Sequence, residues 1–135
     1  MSVVVDTNVL AYLVLEDEAH VEAIHAVLAG FDTILAPSHW QAELLSAFWL
    51  TVRSGRMTAD QALVYFRCVR GLVQVEVPVE ELHEVALRLA LEEDHSPYDT
   101  LFVALAHRED APLLTYDRKL IERFPEVALR PEDLL

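Results

Sequence analysis

Short apolar segments alternate along this chain with longer segments whose apolar residues recur at helical spacing. The short segments are rich in valine and leucine and too brief for helices; they lie at 2–5, 33–36, 72–77, 113–115 and 127–129. The longer segments lie at 7–15, 17–29, 38–53, 58–70, 80–94, 96–108 and 117–124. Strands that alternate with helices indicate a parallel sheet covered on both faces. We therefore predict an α/β fold, a three-layer sandwich with a central, mostly parallel sheet of four or five strands flanked by helices.

The length and composition of the chain predict one compact domain over residues 1–135. A chain of 135 residues suffices for one hydrophobic core, and 53% of the residues are hydrophobic, which argues against disorder. No apolar stretch approaches the roughly 20 residues that a membrane span needs, and the first residues lack the basic start of a secretory leader. Cys68 is the only cysteine, so no internal disulfide can form. These features predict a cytoplasmic protein without a membrane segment.

The charge of the chain argues at first against a nucleic-acid partner. Twenty-three acidic residues against ten Lys and Arg give a net charge of −13, and such a surface repels phosphate by default. Part of the excess lies in runs typical of solvated helix faces, 16–22, 80–84 and 92–94. Four arginines stand close together in sequence: Arg53, Arg56, Arg67 and Arg70. This group could grip RNA or dock a partner, but we expect it to be simply exposed.

Four acidic residues are placed to meet at one edge of the predicted sheet. Asp6 immediately follows the first strand, and Asp117 lies two residues beyond the fourth. Glu43 lies in the second turn of the helix that leaves the second strand. Asp99 lies in the first turn of the helix that precedes the fourth strand, and such a helix begins at the carboxyl edge of the sheet. Ligands of parallel α/β sheets bind at this edge, so we predict a functional site there.

Each of these acids also has an ordinary structural explanation. Asp6 and Asp117 are suitable N-cap residues, and Asp99 could complete a capping box or interact with the helix dipole. Glu43 is harder to explain, because it is the only acid of a mostly apolar helix, where an unpartnered carboxylate is costly to bury. The ordinary explanations are plausible one at a time and strained when all four are needed together.

Four segments of the chain resemble, in order and spacing, the motifs of the PIN domain (PilT N-terminus) family. They are "VVVDTNVL" (3–10), "PSHWQAELLSAF" (37–48), "SPYDTLFVALA" (96–106) and "LLTYDRKL" (113–120). Order, spacing and chain length are most similar to the small bacterial and archaeal members, the toxin ribonucleases of VapBC toxin–antitoxin pairs. The resemblance implies a parallel sheet between helices and RNA cleavage with Mg²⁺ or Mn²⁺. It maps the acidic metal site onto Asp6, Glu43, Asp99 and Asp117.

The same resemblance implies partners and further site residues. Asn8 and Thr115 match polar positions that family members often carry beside the acids, and we expect both to contact the substrate. Arg118 directly follows the last acid and could hold a substrate phosphate, although a solvated helix start is the simpler interpretation. The antitoxins of the family cover this site, often with an inserted arginine. Family members commonly form homodimers, and the apolar helices at 38–70 would suit such an interface.

Clustered carboxylates predict a bound metal without the family resemblance. Two carboxylates about 5 Å apart repel by about 3 kcal/mol at an effective dielectric constant near 20, so four of them need raised pKa values or a cation. Hard oxygen ligands without a Cys–His pattern favour one or two Mg²⁺ or Mn²⁺ ions over Zn²⁺. We predict that metal-activated water hydrolyses RNA phosphodiester bonds and leaves 5′-phosphate and 3′-hydroxyl ends. Asp6 and Asp99 are the expected principal ligands.

Two other classes of function compete with the nuclease. A phosphatase with an aspartyl nucleophile at Asp6 would need a second aspartate two residues further on, where this chain has Asn8. A binding module without catalytic activity would use the acidic rim to dock a basic protein partner. A Mg²⁺-dependent cleavage assay on RNA separates these classes. His95 precedes the Ser-Pro start of a helix, and we expect it to be incidental.

Overall fold

The protein is built on a five-stranded sheet, seen in a computed structural model that describes residues 1–15 and 18–135. The strands are β1 (Ser2–Val5), β2 (Thr33–Pro37), β3 (Val75–Val77), β4 (Leu113–Leu114) and β5 (Ala128–Leu129). Their order across the sheet is β3-β2-β1-β4-β5, and every neighbouring pair is parallel. The predicted α/β sandwich with a central parallel sheet is confirmed.

Helices flank the sheet in two groups. The described residues form α1 (Thr7–Leu15), α2 (Glu18–Leu28), α3 (Trp40–Arg53), α4 (Ala59–Arg70), α5 (His83–Glu93), α6 (Pro97–Glu109) and α7 (Arg118–Arg123). Helix α1 contacts α2, α3 and α4, whereas α6 contacts α5 and the strands β1, β2 and β4. None of the helices formed by residues 1–15 and 18–135 is long and apolar enough to cross a membrane.

The core explains why two segments of the sequence are apolar without a clear period. Val3, Val4 and Val5 of β1 are fully buried, because β1 is the central strand and is covered on both faces. Residues 101–106 of α6 are all buried, since this helix is enclosed by the sheet and by α5. The hydroxyl of Thr100 donates to the carbonyl of Ala86 over 2.7 Å and ties α6 to α5. The strand that leads to Asp6 and the helix that carries Asp99 are therefore both held in the core.

Several element boundaries differ from the predicted ones. Helix α3 begins at Trp40 rather than Ser38, because Pro37 is still paired in β2 and the Ser38 N–H donates to the carbonyl of Val77. Glu43 therefore lies in the first turn of α3, not the second. Helix α5 begins three residues later than predicted, at His83, after a 3₁₀ turn. The predicted start of the second helix, at residue 17, lies outside the described residues.

The strand register places the ends of β1 and β4 side by side. Val5 pairs with Leu114, and the backbone N–H of Asp6 donates to the carbonyl of Leu114 over 2.9 Å. The residues that follow these two strands therefore leave the sheet together at its carboxyl edge. Helix α3 starts from β2 on the other side of β1, and α6 starts at the same edge before it leads into β4.

Candidate active site

A cleft of about 330 Å³ at the carboxyl edge of the sheet brings the four predicted acids together. We call it the acidic cleft, and its acidic lining is Asp6, Glu43, Asp99 and Asp117. Its other lining residues are Thr7, Asn8, Ala11, Tyr12, Leu15, Ala47 and Arg56. Two acids follow strand ends and two stand in the first turns of α3 and α6, so four separate elements converge.

Asp6 is the most deeply buried of the four acids, with 5% of its surface exposed. Burial raises the pKa of its carboxyl to about 7; the hydrogen bond from Thr115 opposes this rise, and the charges of Asp99 and Glu43 add to it. The Thr115 hydroxyl donates to Asp6 Oδ2 over 2.8 Å, and Asn8 Nδ2 stands 3.4 Å from the same oxygen. Asp6 is thus held in one orientation with its charge only partly offset.

Thr115 and Asn8 form a hydrogen-bonded layer beneath the acids. Thr115 is fully buried, and its hydroxyl oxygen accepts from the backbone N–H of Asp117 over 3.0 Å. Asn8 Oδ1 accepts from the backbone N–H of Tyr116 over 3.1 Å, and its amide lies 3.4 Å from the Thr115 hydroxyl. This arrangement differs from the expected contact between Thr115 and substrate: the side chain has no exposed surface and instead links Asp6 to Asp117.

Glu43 is held between α1 and the start of α3. The hydroxyl of Thr7 donates to Glu43 Oε1 over 2.9 Å, and His39 Nε2 lies 3.7 Å from the same oxygen. Burial raises the pKa of Glu43, while the Thr7 bond and His39 lower it and Asp99 raises it. His39 was not among the predicted site residues. Its spacing of four residues before Glu43 was the available signal, because such residues face each other on one side of a helical turn.

Asp99 is paired with His95, a residue that was predicted to have no role in the site. His95 Nε2 lies 2.8 Å from Asp99 Oδ2. Burial raises the pKa of Asp99, an effect opposed by the bond to His95 and increased by the nearby charge of Asp117. One ligand atom from each of His95, Asp99 and Asp117 lies within 4.8 Å of the others, close enough to share a metal ion. The spacing of four residues between His95 and Asp99 was the missed signal.

The predicted arginines divide into two places. Arg53, Arg56, Arg67 and Arg70 are all exposed, as expected. Arg56 nevertheless lines the acidic cleft, and its guanidinium makes no ion pair with a carboxylate of the part of the chain that the structure describes. Arg118 does not line this cleft; it lines a neighbouring cavity together with Tyr12 and Tyr116. Arg56 is therefore the arginine that lines the acidic cleft, whereas Arg118, the predicted phosphate contact, lines the neighbouring cavity.

The side chains of the acidic cleft suit a divalent cation of the Mg²⁺ or Mn²⁺ type. They offer carboxylate oxygens, which such hard cations prefer, together with one imidazole nitrogen from His95. The raised pKa values of Asp6, Glu43 and Asp99 show that the group holds more negative charge than its buried setting tolerates. A cation would favour the ionised form of these acids, including Asp6, whose pKa burial raises to about 7.

The fold and the cleft define a small α/β domain with a carboxylate-lined site at the carboxyl edge of a parallel sheet. The PIN domain family model matches residues 3–127, and the chain belongs to the PIN domain family. Ribonuclease VapC3 of Pyrobaculum aerophilum is 29% identical to it over 134 residues, which cover 93% of this chain and 96% of that protein.

Solved structures of other proteins share this fold. The crystal structure of PAE2754 from Pyrobaculum aerophilum aligns with 99% of this chain and 86% of its own, with a TM-score of 0.75 and 24% identity. VapBC2 from Rickettsia felis, solved bound to a DNA fragment from its promoter, gives a TM-score of 0.70, 16% identity and coverage of 96% and 98%. A toxin–antitoxin complex from Klebsiella pneumoniae has a TM-score of 0.66 and 15% identity, and the alignment covers 96% of this chain and 97% of that chain.

Proposed function

We propose that this protein is a divalent-metal-dependent ribonuclease, and that it is the toxin of a type II toxin–antitoxin pair. The observation that carries the proposal is the meeting of four carboxylates from four separate elements in one cleft of a PIN domain. The similarity over nearly the whole length to a protein named Ribonuclease VapC3 supports RNA as the substrate.

The acids have separable tasks in this proposal. Asp6 and Asp99 are the principal ligands of the cation, and Glu43 and Asp117 complete the shell directly or through water. Bound there, Mg²⁺ or Mn²⁺ lowers the pKa of a water nucleophile and offsets charge on the phosphate oxygens. Thr115 positions Asp6 through their 2.8 Å hydrogen bond, and His95 positions Asp99.

The same cleft contains groups for the substrate. Arg56 lines it from the connection between α3 and α4, and because it makes no ion pair within the described residues it can pair with a phosphate oxygen. Asn8, which is half-buried and lines the acidic cleft, is a second candidate contact. A divalent cation among the four carboxylates would offset part of their negative charge and offer a positive ligand to the phosphate oxygens, so a chain with a net charge of −13 can receive RNA at this point.

The test is a cleavage assay on single-stranded and structured RNA with Mg²⁺, with Mn²⁺ and with a chelator. We expect products with 5′-phosphate ends only when a divalent ion is present. Asp99→Asn should lose at least about a hundredfold of the activity, and the exposed Glu92→Gln should lose none. An absence of metal-dependent product would overturn the nuclease proposal and favour the alternative, an acidic module that docks a basic protein.

We also propose an antitoxin partner and a cytoplasmic location. Two structures of the same fold are described as VapBC2 and as a toxin–antitoxin complex, which supports a protein that covers this cleft. An arginine of the partner would suit the acids by charge. The test is co-purification with the product of the neighbouring reading frame and loss of cleavage in the complex. The single cysteine agrees with a reducing compartment.

The outer faces of α3 and α4 support a homodimer. Leu45, Trp49 and Leu63 each expose more than half of their surface, and with Phe48 and Phe66 they line one apolar groove. Contiguous apolar surface of this kind marks protein interfaces. We propose that a second copy of the chain covers this groove. Light scattering at micromolar concentration should give the mass of a dimer, and Leu63→Glu should give a monomer; a monomeric wild type would contradict the proposal.

A further inference from the structure

A second cavity adjoins the acidic cleft and is walled by aromatic rings. We call it the aromatic cavity; it has a volume of about 360 Å³, and its lining is Tyr12, His20, Tyr116, Arg118, Ile121, Glu122 and Arg130. The rings of Tyr12 and Tyr116 are stacked, with centroids 4.5 Å apart and planes inclined by 17°. His20 stands edge-on to both, at 5.5 Å from Tyr12 and 5.3 Å from Tyr116.

Glu132 contacts two of the three rings. The Tyr116 hydroxyl donates to Glu132 Oε1, and His20 Nδ1 lies 3.8 Å from the same oxygen. Tyr12, His20 and Tyr116 are all partly exposed, so the ring cluster is not part of the hydrophobic core. A rigid, partly exposed aromatic wall can receive a planar ligand at little cost in conformational entropy.

The charged residues of the aromatic cavity are arranged for a ligand that carries a negative charge. Arg118 and Arg130 line it and are exposed. Arg130 is bonded to Asp133 over 3.1 Å, whereas Arg118 makes no ion pair with any carboxylate in residues 1–15 and 18–135. Among the residues that the structure describes, Glu122 is the carboxylate of the lining, and a carboxylate accepts hydrogen bonds from the amino groups of bases. Of the two arginines, Arg118 is therefore the one whose charge remains available to a phosphate.

The aromatic cavity lies next to the acidic cleft. Tyr12 lines both, and Arg118 of the aromatic cavity directly follows Asp117 of the acidic cleft. A nucleic-acid strand whose phosphate lies at the acids would therefore carry the neighbouring nucleotide to the tyrosines. Stacking of a base on an aromatic side chain tolerates any base, because every base has a π-face.

We propose that the aromatic cavity is a nucleotide subsite, in which the base next to the cleaved phosphodiester of single-stranded RNA stacks on the free face of the Tyr12–Tyr116 ring pair. Arg118 holds the phosphate of that nucleotide. This inference rests on the proposed ribonuclease function, since it assigns to the acidic cleft the adjoining phosphodiester. It also implies that double-stranded RNA, whose bases are already stacked and paired, is a poorer ligand.

The test is equilibrium binding of short single-stranded RNA to the cleavage-deficient Asp99→Asn protein. Tyr12→Leu removes the ring and should weaken binding about tenfold or more, whereas Tyr12→Phe keeps the ring and should bind as the parent does. Arg118→Ala is exposed and leaves the rings in place, so it should weaken binding several-fold without unfolding the protein. Lys119→Ala removes the same charge from the next residue, which does not line the aromatic cavity, and should change binding less than twofold.

An oligonucleotide of abasic ribose phosphates tests the base itself. It should bind the parent protein more weakly than a normal oligonucleotide of equal length, and Tyr12→Leu should bind the two alike. Equal affinities of all variants for normal RNA, or no RNA binding at all, would overturn the subsite. Failure of the wild type to cleave RNA would overturn the ribonuclease proposal alone, because the ring and base dependence of binding is measured without cleavage.

Discussion

The burial of Asp6 disfavours its ionised form, so the titration of this carboxyl should appear in the pH dependence of the free energy of unfolding. Its pKa is 3.8 in the unfolded chain and about 7 in the fold, chiefly because it is buried. Between these values the folded protein binds more protons than the unfolded chain, so without a divalent ion stability falls as pH rises through this window. The full loss corresponds to at most about 4 kcal/mol.

The substitution Asp6→Asn removes this loss, since the amide does not ionise. In urea unfolding with a chelator present, the variant should be more stable than wild type at about pH 8, and the difference should shrink towards pH 4. Glu92→Gln, at an exposed position, should follow the wild-type curve. A variant whose stability depends on pH as strongly as that of the wild type would contradict the assignment of the titration to Asp6.

His95 illustrates how a single contact changes the expected role of a residue. Because His95 lies 2.8 Å from Asp99 and can share a cation with it, His95→Ala should weaken binding of Mn²⁺ about 10- to 100-fold and lower cleavage at limiting Mn²⁺. His83→Ala, exposed on α5, is the matched control and should leave both unchanged. Mn²⁺ titration by electron paramagnetic resonance measures the affinity; equal values for His95→Ala and wild type would remove His95 from the site.

At the scale of the element, Asp117 is both a helix cap and a member of the acidic cleft. Its carboxylate accepts from the N–H of Leu120 over 3.2 Å at the start of α7, so the ordinary explanation of this residue is also true. Asp117→Ser keeps a capping oxygen and should leave the free energy of unfolding nearly unchanged, whereas Asp117→Ala should lose about 1 kcal/mol. Both should lower cleavage to a similar extent. Full activity in Asp117→Ser would show that capping is the whole role.

The strands and helices could be predicted where the pattern is local. Thr58 and Gln61 have the spacing of a capping box in the sequence, and both reciprocal hydrogen bonds are present at the start of α4. The start of β3 was wrong by three residues, because Gln74 bonds to Ile34 through its backbone N–H and its side-chain oxygen before the ladder begins at Val75. Hydrophobicity alone does not distinguish such a segment from a strand.

The candidate site could be predicted only as far as topology determines it. The carboxyl edge of a parallel sheet fixes where Asp6 and Asp117 emerge, and the lining of the acidic cleft contains all four predicted acids. The burial of Thr115 and the direction of Arg118 depend on side-chain packing between elements distant in sequence. No spacing rule within one element contains that information.

At the scale of the whole molecule, the stability should depend on salt in two ways, one set by the net charge of −13 and the other by the acidic cleft. General repulsion among surface carboxylates is screened by any salt, whereas the buried acids respond to an ion that binds among them. The two contributions can be separated, because NaCl at matched ionic strength supplies the screening without a divalent cation.

Mg²⁺ should therefore raise the melting temperature of the wild type above its value in NaCl of equal ionic strength. An ion that binds only the folded state adds about 2.7 kcal/mol when its concentration is about a hundredfold above Kd. The double variant with Asp6→Asn and Asp99→Asn should be more stable than wild type in chelator and should gain nothing further from Mg²⁺. Differential scanning calorimetry measures the melting temperature of each protein with Mg²⁺ and with chelator in NaCl of equal ionic strength. Equal stabilisation of both proteins by Mg²⁺ would place the ion elsewhere on the acidic surface, because the double variant has lost both of the principal ligands.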